Sequence, residues 1–149
     1  MTLTYIKLTE QHLNKKETQM QIDGREIFYK GSLMFYLWRM ASLEYQDKYI
    51  IHPTIEAYED PSEMAELLCT ECENALLEQF KFCFLPYERE ILKELAELIY
   101  KYFRDGSLLK GEEDGDYLVY QNKSWIEVRE LALKTIHIFG YDLGVFDLY

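Results

Sequence analysis

The sequence is poor in the residues that mark several classes of protein. It contains only three cysteines, three prolines and seven glycines among 149 residues. Three cysteines are too few for a disulfide-stapled scaffold, and the chain has no repeat or low-complexity linker of a fibrous or disordered protein. The longest nearly uncharged run, from Gly31 to Leu43, is interrupted by Arg39. That run is too short to span a bilayer, so we expect no membrane contact.

The first residues also lack the basic and apolar stretches of a signal peptide. We therefore expect a cytoplasmic protein with reduced cysteines. Apolar residues make up 48% of the chain and aromatic residues 15%, which excludes an intrinsically disordered acidic protein. A chain of this length can bury one core without help from metals or disulfides, so residues 1–149 are expected to form a single domain.

Positively charged residues are much fewer than negatively charged ones. The chain has 16 Lys and Arg against 27 Asp and Glu, which gives a net charge of −11. Such a chain cannot attract nucleic acid through a bulk positive field, so no direct binding to nucleic acid is expected. Between Lys48 and Lys81 there is no Lys or Arg, while the same window holds eight acidic residues. Most of the net negative charge is therefore concentrated in one part of the chain.

Patterns typical of β-strands occur at the beginning and near the end of the chain. Thr2 to Leu8 alternates and predicts a strand. Gln19 to Ile22 and Glu26 to Tyr29 flank Asp23-Gly24, a dipeptide favoured in hairpin turns, and predict two more. Asp116 to Gln121 also alternates and predicts a fourth strand.

Helical periodicity marks the middle of the chain. Leu33 to Gln46 is apolar on nearly all sides, which indicates a helix at the centre of the core or at an interface. Asp60-Pro61 predicts a helix start, with Asp60 as N-cap and Pro61 at the first helical position. This second helix is expected to extend to about Phe82.

Two further helices follow in the second half of the chain. One begins at Leu85-Pro86 and ends at Gly106. The other is predicted to begin at a capping box formed by Ser124 and Glu127. Together the patterns predict an α+β fold: a helix-dominated single domain of about four helices packed with a small antiparallel sheet of about four strands.

Metal motifs are incomplete. Cys69-Thr-Glu-Cys72 is a single CxxC pair, whereas a structural zinc site takes four ligands. Its place on the apolar side of a helix predicts buried thiols. The segment Glu112 to Asp116 resembles a calcium loop, but Tyr117 and Lys123 occupy the positions where an EF-hand needs Gly and Glu. We expect no metal and no cofactor.

Catalytic motifs are not recognisable either. His12, His52 and His137 form no paired pattern, and neither GxGxxG nor GxxxxGK occurs. Nucleophilic catalysis requires a base within reach of the nucleophile, and no spacing here selects such a pair. We therefore predict no catalytic residue and regard the chain as a non-enzyme.

The acidic window suggests a binding surface. On a helical wheel its carboxylates lie opposite Met64, Leu68 and Cys72, and a second acidic cluster follows between Asp105 and Asp116. A dense negative surface accelerates association with a positive partner, and aromatic side chains anchor such interfaces. The predicted partner-binding residues are Glu56, Tyr58, Glu59, Asp60, Glu63, Glu66, Glu73, Glu78, Glu112, Glu113, Asp114 and Asp116. The alternative is a solvated face that only keeps the protein soluble.

The size and charge predict an acidic protein-binding inhibitor that neutralises a basic effector acting on nucleic acid. A bacterial immunity protein against a nuclease toxin fits this description, as does a phage-encoded inhibitor of a defence system. One alternative is a structural or regulatory subunit that forms oligomers through the 33–46 helix. Another is a small ligand-binding protein or enzyme with a dispersed site, which a deep pocket lined by His52 or His137 would favour.

Overall fold

A computed structural model describes residues 6–8 and 24–148 of the chain, with side chains described for residues 32–144. Over these residues the fold is helical. The helices are α1 (Gly24–Ala41), α2 (Leu43–Gln46), α3 (Pro61–Ala75), α4 (Pro86–Arg104), α5 (Gly115–Tyr120) and α6 (Lys123–Ile138). A π-helical turn (Asp47–Ile51) follows α2, a 3-10 helix (Glu78–Cys83) connects α3 to α4, and a 3-10 turn (Leu143–Val145) follows α6. Strands β1 (Ile6–Leu8) and β2 (Phe146–Leu148) pair antiparallel, with Ile6 opposite Leu148.

The four long helices form a bundle around one core. α1 packs against α3 and α6, and α4 packs against the same two helices. Each long helix therefore contacts two others, as in a four-helix bundle. The largest fully buried side chains include residues of all four helices: Leu33, Met34, Leu37 and Met40 from α1, Met64 and Leu68 from α3, Leu92, Leu95 and Ile99 from α4, and Trp125 from α6. The predicted 33–46 helix is apolar on nearly all sides because this part of the chain lies at the centre of the core.

The predicted α+β class is wrong. In the described part of the chain, strand pairing is limited to three residues on each side, and the expected four-stranded sheet does not form. Glu26 to Tyr29, predicted as a hairpin strand, is part of α1. Asp116 to Gln121, also predicted as a strand, is helical through Tyr120. Gln19 to Ile22 lies outside the described residues, and of Thr2 to Leu8 the structure describes only β1.

Local hydrogen bonds explain why α5 is a helix. Asp114 Oδ1 accepts from the backbone N–H groups of Asp116 and Tyr117, which satisfies donors that a helix start leaves free. The neighbouring residues Leu118 and Val119 are both buried. A strand would place them on opposite faces, whereas one turn of helix against the bundle buries both.

Several helix boundaries were predicted correctly. Asp60 is the N-cap of α3 with Pro61 at its first position, and α4 begins at Pro86, where the Glu88 side chain accepts from the Leu85 N–H. After α4, Gly106 adopts a φ of +78°, which favours glycine.

Three other boundaries differ from prediction. α3 ends at Ala75 rather than near Phe82, because Leu77 is extended and a 3-10 helix follows. The predicted 33–46 helix is divided at Ser42, which caps α2. The N-cap of α6 is Asn122, not Ser124. None of the helices in the described part of the chain is long and apolar enough to cross a membrane.

Candidate functional site

The two acidic segments of the sequence meet at an open cleft. The loop of residues 52–60 forms one side of it, and the turn that precedes α5 forms the other. The cleft has a volume of about 510 Å³, and its lining includes Tyr49, Ile55, Tyr58, Glu112 and Glu113. We call it the acidic cleft. Residues that are distant in sequence are thereby brought to one place, as the prediction of a shared partner surface requires.

Apolar side chains are exposed at this cleft. Ile55 is 97% exposed and Tyr58 is 68% exposed. Glu56, between them in the loop, is also exposed. A single exposed apolar side chain is ordinary, but an isoleucine and a tyrosine beside several carboxylates have the composition of an interface anchor with a charged rim. Sequence reasoning identified Tyr58 and missed Ile55.

The loop that carries these side chains is held to the core by Glu59. The Glu59 carboxylate forms an ion pair with Arg39 and accepts a hydrogen bond from the Tyr45 hydroxyl. The side chains of Arg39 and Glu59 are only 11% and 6% exposed, and the Glu59 N–H donates to the Tyr49 carbonyl at 2.9 Å. Glu59, predicted to bind a partner, is therefore an internal anchor.

Three aromatic rings surround the guanidinium of Arg39. Its guanidinium lies 5.1 Å from the Phe35 ring centroid, 5.6 Å from that of Tyr36 and 5.8 Å from that of Tyr45. Burial lowers the pKa of Arg39, but the charges and hydrogen bonds of Glu59 and Tyr45 together outweigh burial, so the pKa of Arg39 is raised. Burial and the hydrogen bond to Glu59 also raise the pKa of Tyr45 well above its usual value. Arg39 stood out in the sequence as the one charge in an apolar run, which is the signal that could have indicated a buried acidic partner.

The turn before α5 is packed directly on the π-helical turn. A Cβ atom on Gly115 would lie 2.8 Å from the Ile50 carbonyl oxygen, so only glycine allows this approach. Asp114 is used locally as the N-cap of α5. Glu112, Glu113 and Asp116 remain exposed. Both sides of the acidic cleft therefore contact the same short stretch of backbone, at Tyr49 and Ile50.

The predicted acidic residues of the α3 region separate into different environments. Glu63, Glu66 and Glu73 are exposed on α3, while Asp60 accepts from the Ser62 and Glu63 N–H groups at the helix start. Glu78 lies beyond α3 and pairs with Lys81 at 3.0 Å. We define the acidic surface as the exposed carboxylates without such local roles: Glu56, Glu63, Glu66, Glu73, Glu112, Glu113 and Asp116.

The negative charge of α3 also acts on its neighbours. Burial raises the pKa of Glu71, which is partly covered. The pKa of Tyr36 is raised first by burial and then by Glu71, against the opposing effect of Arg39. Glu59 and Glu63 raise it further. The carboxylates therefore set up a negative potential around Tyr36, which would attract a cationic surface.

The cysteines are buried, as predicted. Cys69 Sγ donates to the Ala96 carbonyl at 3.6 Å, and burial raises the pKa of Cys69 to about 11. Burial raises the pKa of Cys72 as well. Across the described residues no group of three or more His, Cys, Asp or Glu side chains is placed to hold a metal ion.

The histidines do not converge on a cleft. His52 is exposed, with Nδ1 3.5 Å from Asp47 Oδ2, and His137 is exposed on α6. His12 lies outside the described residues. Neither the acidic cleft nor the groove of about 450 Å³ between α4 and α6 is lined by a histidine. The dispersed-site alternative therefore gains no support from these two clefts.

Known proteins give no independent indication of the function of this chain. The chain matches no family model, no curated protein and no solved structure. The helical bundle with its acidic cleft is thus interpreted from its own residues.

Proposed function

We propose that the chain is a protein-binding module whose acidic surface docks a basic protein partner. The observation that carries this proposal is Ile55, which is almost fully exposed on a loop fixed by a buried ion pair. An anchored loop gains nothing in the free protein by holding an isoleucine in water. Covering Ile55 in a complex stabilises that complex by roughly 1.5–3 kcal/mol.

The anchored loop favours tight binding. Because Glu59 fixes it to Arg39 and Tyr45, little conformational entropy is lost when a partner covers Tyr58 and Ile55. A flexible loop would have to be ordered at that moment. The apolar pair supplies the contact area, and the surrounding carboxylates select the partner.

Charge defines the chemistry of that partner. The seven exposed carboxylates at the acidic cleft and along α3 favour Lys and Arg side chains, and Arg pairs with carboxylates through two parallel hydrogen bonds. Proteins that act on nucleic acid carry such cations in their substrate grooves. Occupying a groove of this kind would block the substrate, so we propose an inhibitor of a basic effector acting on nucleic acid. An immunity protein against a nuclease toxin and a phage-encoded anti-defence inhibitor are its two forms.

The test uses the protein encoded by the neighbouring reading frame as the partner. Association is measured at low and moderate salt for the parent chain and for Glu63→Lys/Glu66→Lys on α3. The matched control is Glu94→Lys/Glu97→Lys, two exposed glutamates with the same spacing on α4. Both variants change the net charge equally, so only the position of the change differs.

We expect the α3 variant to associate about tenfold more slowly at low salt, with a smaller difference at high salt because exposed charges are screened. Ile55→Ser should mainly accelerate dissociation, and each variant should lose inhibition in proportion to its affinity. Equal effects of the α3 and α4 variants, together with unchanged binding of Ile55→Ser, would refute the proposal. An unrelated small basic protein serves as the control for non-specific attraction.

A further inference from the structure

A second apolar surface lies at the opposite end of α3. Leu77, Phe82 and Tyr87 are 48%, 76% and 53% exposed around the 3-10 helix that connects α3 to α4. Phe82 lines a cleft of about 520 Å³ whose lining also includes Leu85 and Pro86. We call Leu77, Phe82, Leu85, Pro86 and Tyr87 the apolar patch. Three large exposed side chains in eleven residues are more than the scattered apolar residues of an ordinary surface.

The apolar patch is separate from the acidic cleft. The 15 residues of α3 span about 22 Å at 1.5 Å per residue. The acidic cleft includes Pro61 at the start of α3, whereas the patch follows its end. The lining residues of the two clefts do not overlap. An inference about the patch is therefore independent of the proposed function.

Charges of both signs surround the apolar patch. Lys81 and Arg89 line its cleft, and the exposed carboxylates nearby are Glu78 and Glu90. This balance contrasts with the residues between Lys48 and Lys81, which include no cation. A basic partner would meet Lys81 and Arg89 here, and an acidic partner would meet Glu78 and Glu90.

A second copy of the chain fits this pattern. An interface with two-fold symmetry must be complementary to itself, so each charge needs an opposite charge within the same patch. Glu78 and Lys81 are 3.0 Å apart in one copy, and each can face the other residue across the axis. With a net charge of −11, two copies repel over most of their surfaces but least at a neutral patch.

We propose that the apolar patch is a self-association surface on which two copies of this chain pair about a two-fold axis. Phe82 of each copy covers the 520 Å³ cleft of the other. Phenylalanine is a strong interface anchor because it buries a large area with few rotatable bonds. The arrangement places the two acidic clefts at the outer ends of the dimer, each about one α3 length from the interface.

The test is the solution mass of the full chain by sedimentation equilibrium over a wide range of concentration. The chain has a mass of 17.9 kDa, and we expect the average mass to rise toward twice that value. Because added salt screens the mutual repulsion of two negative copies, the dimer should become stronger with salt. This is the opposite of the salt effect expected for a basic partner.

Phe82→Asp should weaken the dimer at least 100-fold. Ile55→Asp is the matched control, since it places the same charge on an exposed apolar position at the other end of α3. Lys81→Glu should weaken the dimer, and adding Glu78→Lys to it should restore association. Circular dichroism establishes that each variant is folded. A mass of one chain at every concentration, a dimer insensitive to Phe82→Asp, or larger open assemblies would overturn the proposal.

Discussion

Replacing Glu59 with glutamine tests whether the buried ion pair holds the loop of the acidic cleft. The substitution keeps the shape of the side chain and an oxygen that can accept from Tyr45. It removes the negative charge that compensates Arg39, whose side chain is only 11% exposed. Glu59→Gln therefore isolates the charge from the hydrogen bond and from the packing.

The expected magnitude follows from that burial. Removing one partner of a buried ion pair costs about 3–5 kcal/mol, because the other charge is left without compensation. The aromatic rings around Arg39 offset part of this, since cation–π contacts contribute roughly 0.5–2 kcal/mol each. We expect Glu59→Gln to lower the free energy of unfolding by about 3 kcal/mol, a large fraction of the 5–15 kcal/mol of a typical domain.

Urea denaturation followed by circular dichroism measures this loss. With a slope of about 2 kcal/mol per molar urea, 3 kcal/mol lowers the midpoint by about 1.5 M. Glu56→Gln, an exposed carboxylate three residues earlier in the same loop, is the control and should change stability by less than about 0.5 kcal/mol.

A double variant separates pairing from other causes. Arg39→Met/Glu59→Gln removes both charges and should recover part of the loss, because replacing both members of a buried pair is often nearly neutral. If Glu59→Gln costs less than 1 kcal/mol, or if the double variant is simply the sum of the two single changes, the anchoring role of this ion pair is refuted.

Other features yield predictions that need only stability or reactivity measurements. Asn122→Ala removes the N-cap of α6 and the donor to the Ser107, Leu108 and Lys110 carbonyls; it should cost about 2–4 kcal/mol in urea, whereas Ser124→Ala should cost under about 1 kcal/mol. Gly115→Ala, whose Cβ would lie 2.8 Å from a backbone oxygen, should lower the thermal midpoint through about 1–3 kcal/mol of overpacking; an unchanged midpoint would show that the turn can move. Cys69, with its pKa raised from 9.0 to about 11, should react with a disulfide reagent at pH 8 about 100-fold more slowly than in the unfolded chain. Because the folded chain holds the Cys69 proton more tightly than the unfolded chain, stability is full below pH 9 and is lost as the pH rises through about 11. The urea midpoint should therefore fall between pH 9 and 11. The raised pKa of Tyr45 adds to this fall above pH 10, so the fall should be less steep in Tyr45→Phe.

The sequence correctly predicted the helix starts that depend only on neighbouring residues. Asp60 starts α3 because its side chain accepts from the first free N–H groups. Pro61 and Pro86 suit the first helical position because proline has no N–H group to satisfy. Tyr87, Ile91, Leu92, Leu95 and Ile99 recur at helical spacing along α4, and the last four are all buried. Tyr87, the first of them, is instead 53% exposed. At a helix end, periodicity alone does not distinguish a core residue from one at a surface patch.

The failed strand predictions have tertiary causes. Asp23-Gly24 indicated a hairpin, but Gly24 is the first residue of α1. Gly31 lies inside that helix, because a glycine costs only about 1 kcal/mol in a helix interior and the burial of Leu33 and Leu37 offsets this cost. Arg39 in its apolar run indicated a buried acidic partner, but the sequence could not identify Glu59 as that partner, since it lies twenty residues later and meets Arg39 only in the folded bundle.

The fluorescence of the two tryptophans can follow the loop anchor and the helical bundle separately. Trp38 is 9% exposed, and its ring centroid lies 5.1 Å from that of Tyr45, next to the Glu59 anchor. Trp125 is fully buried, and its Nε1 donates to Gln46 Oε1 at 3.1 Å. Trp125→Phe leaves a fluorophore beside the loop anchor, and Trp38→Phe leaves one in the bundle. Comparing the emission of the two variants during unfolding will show whether the loop detaches before the helices separate.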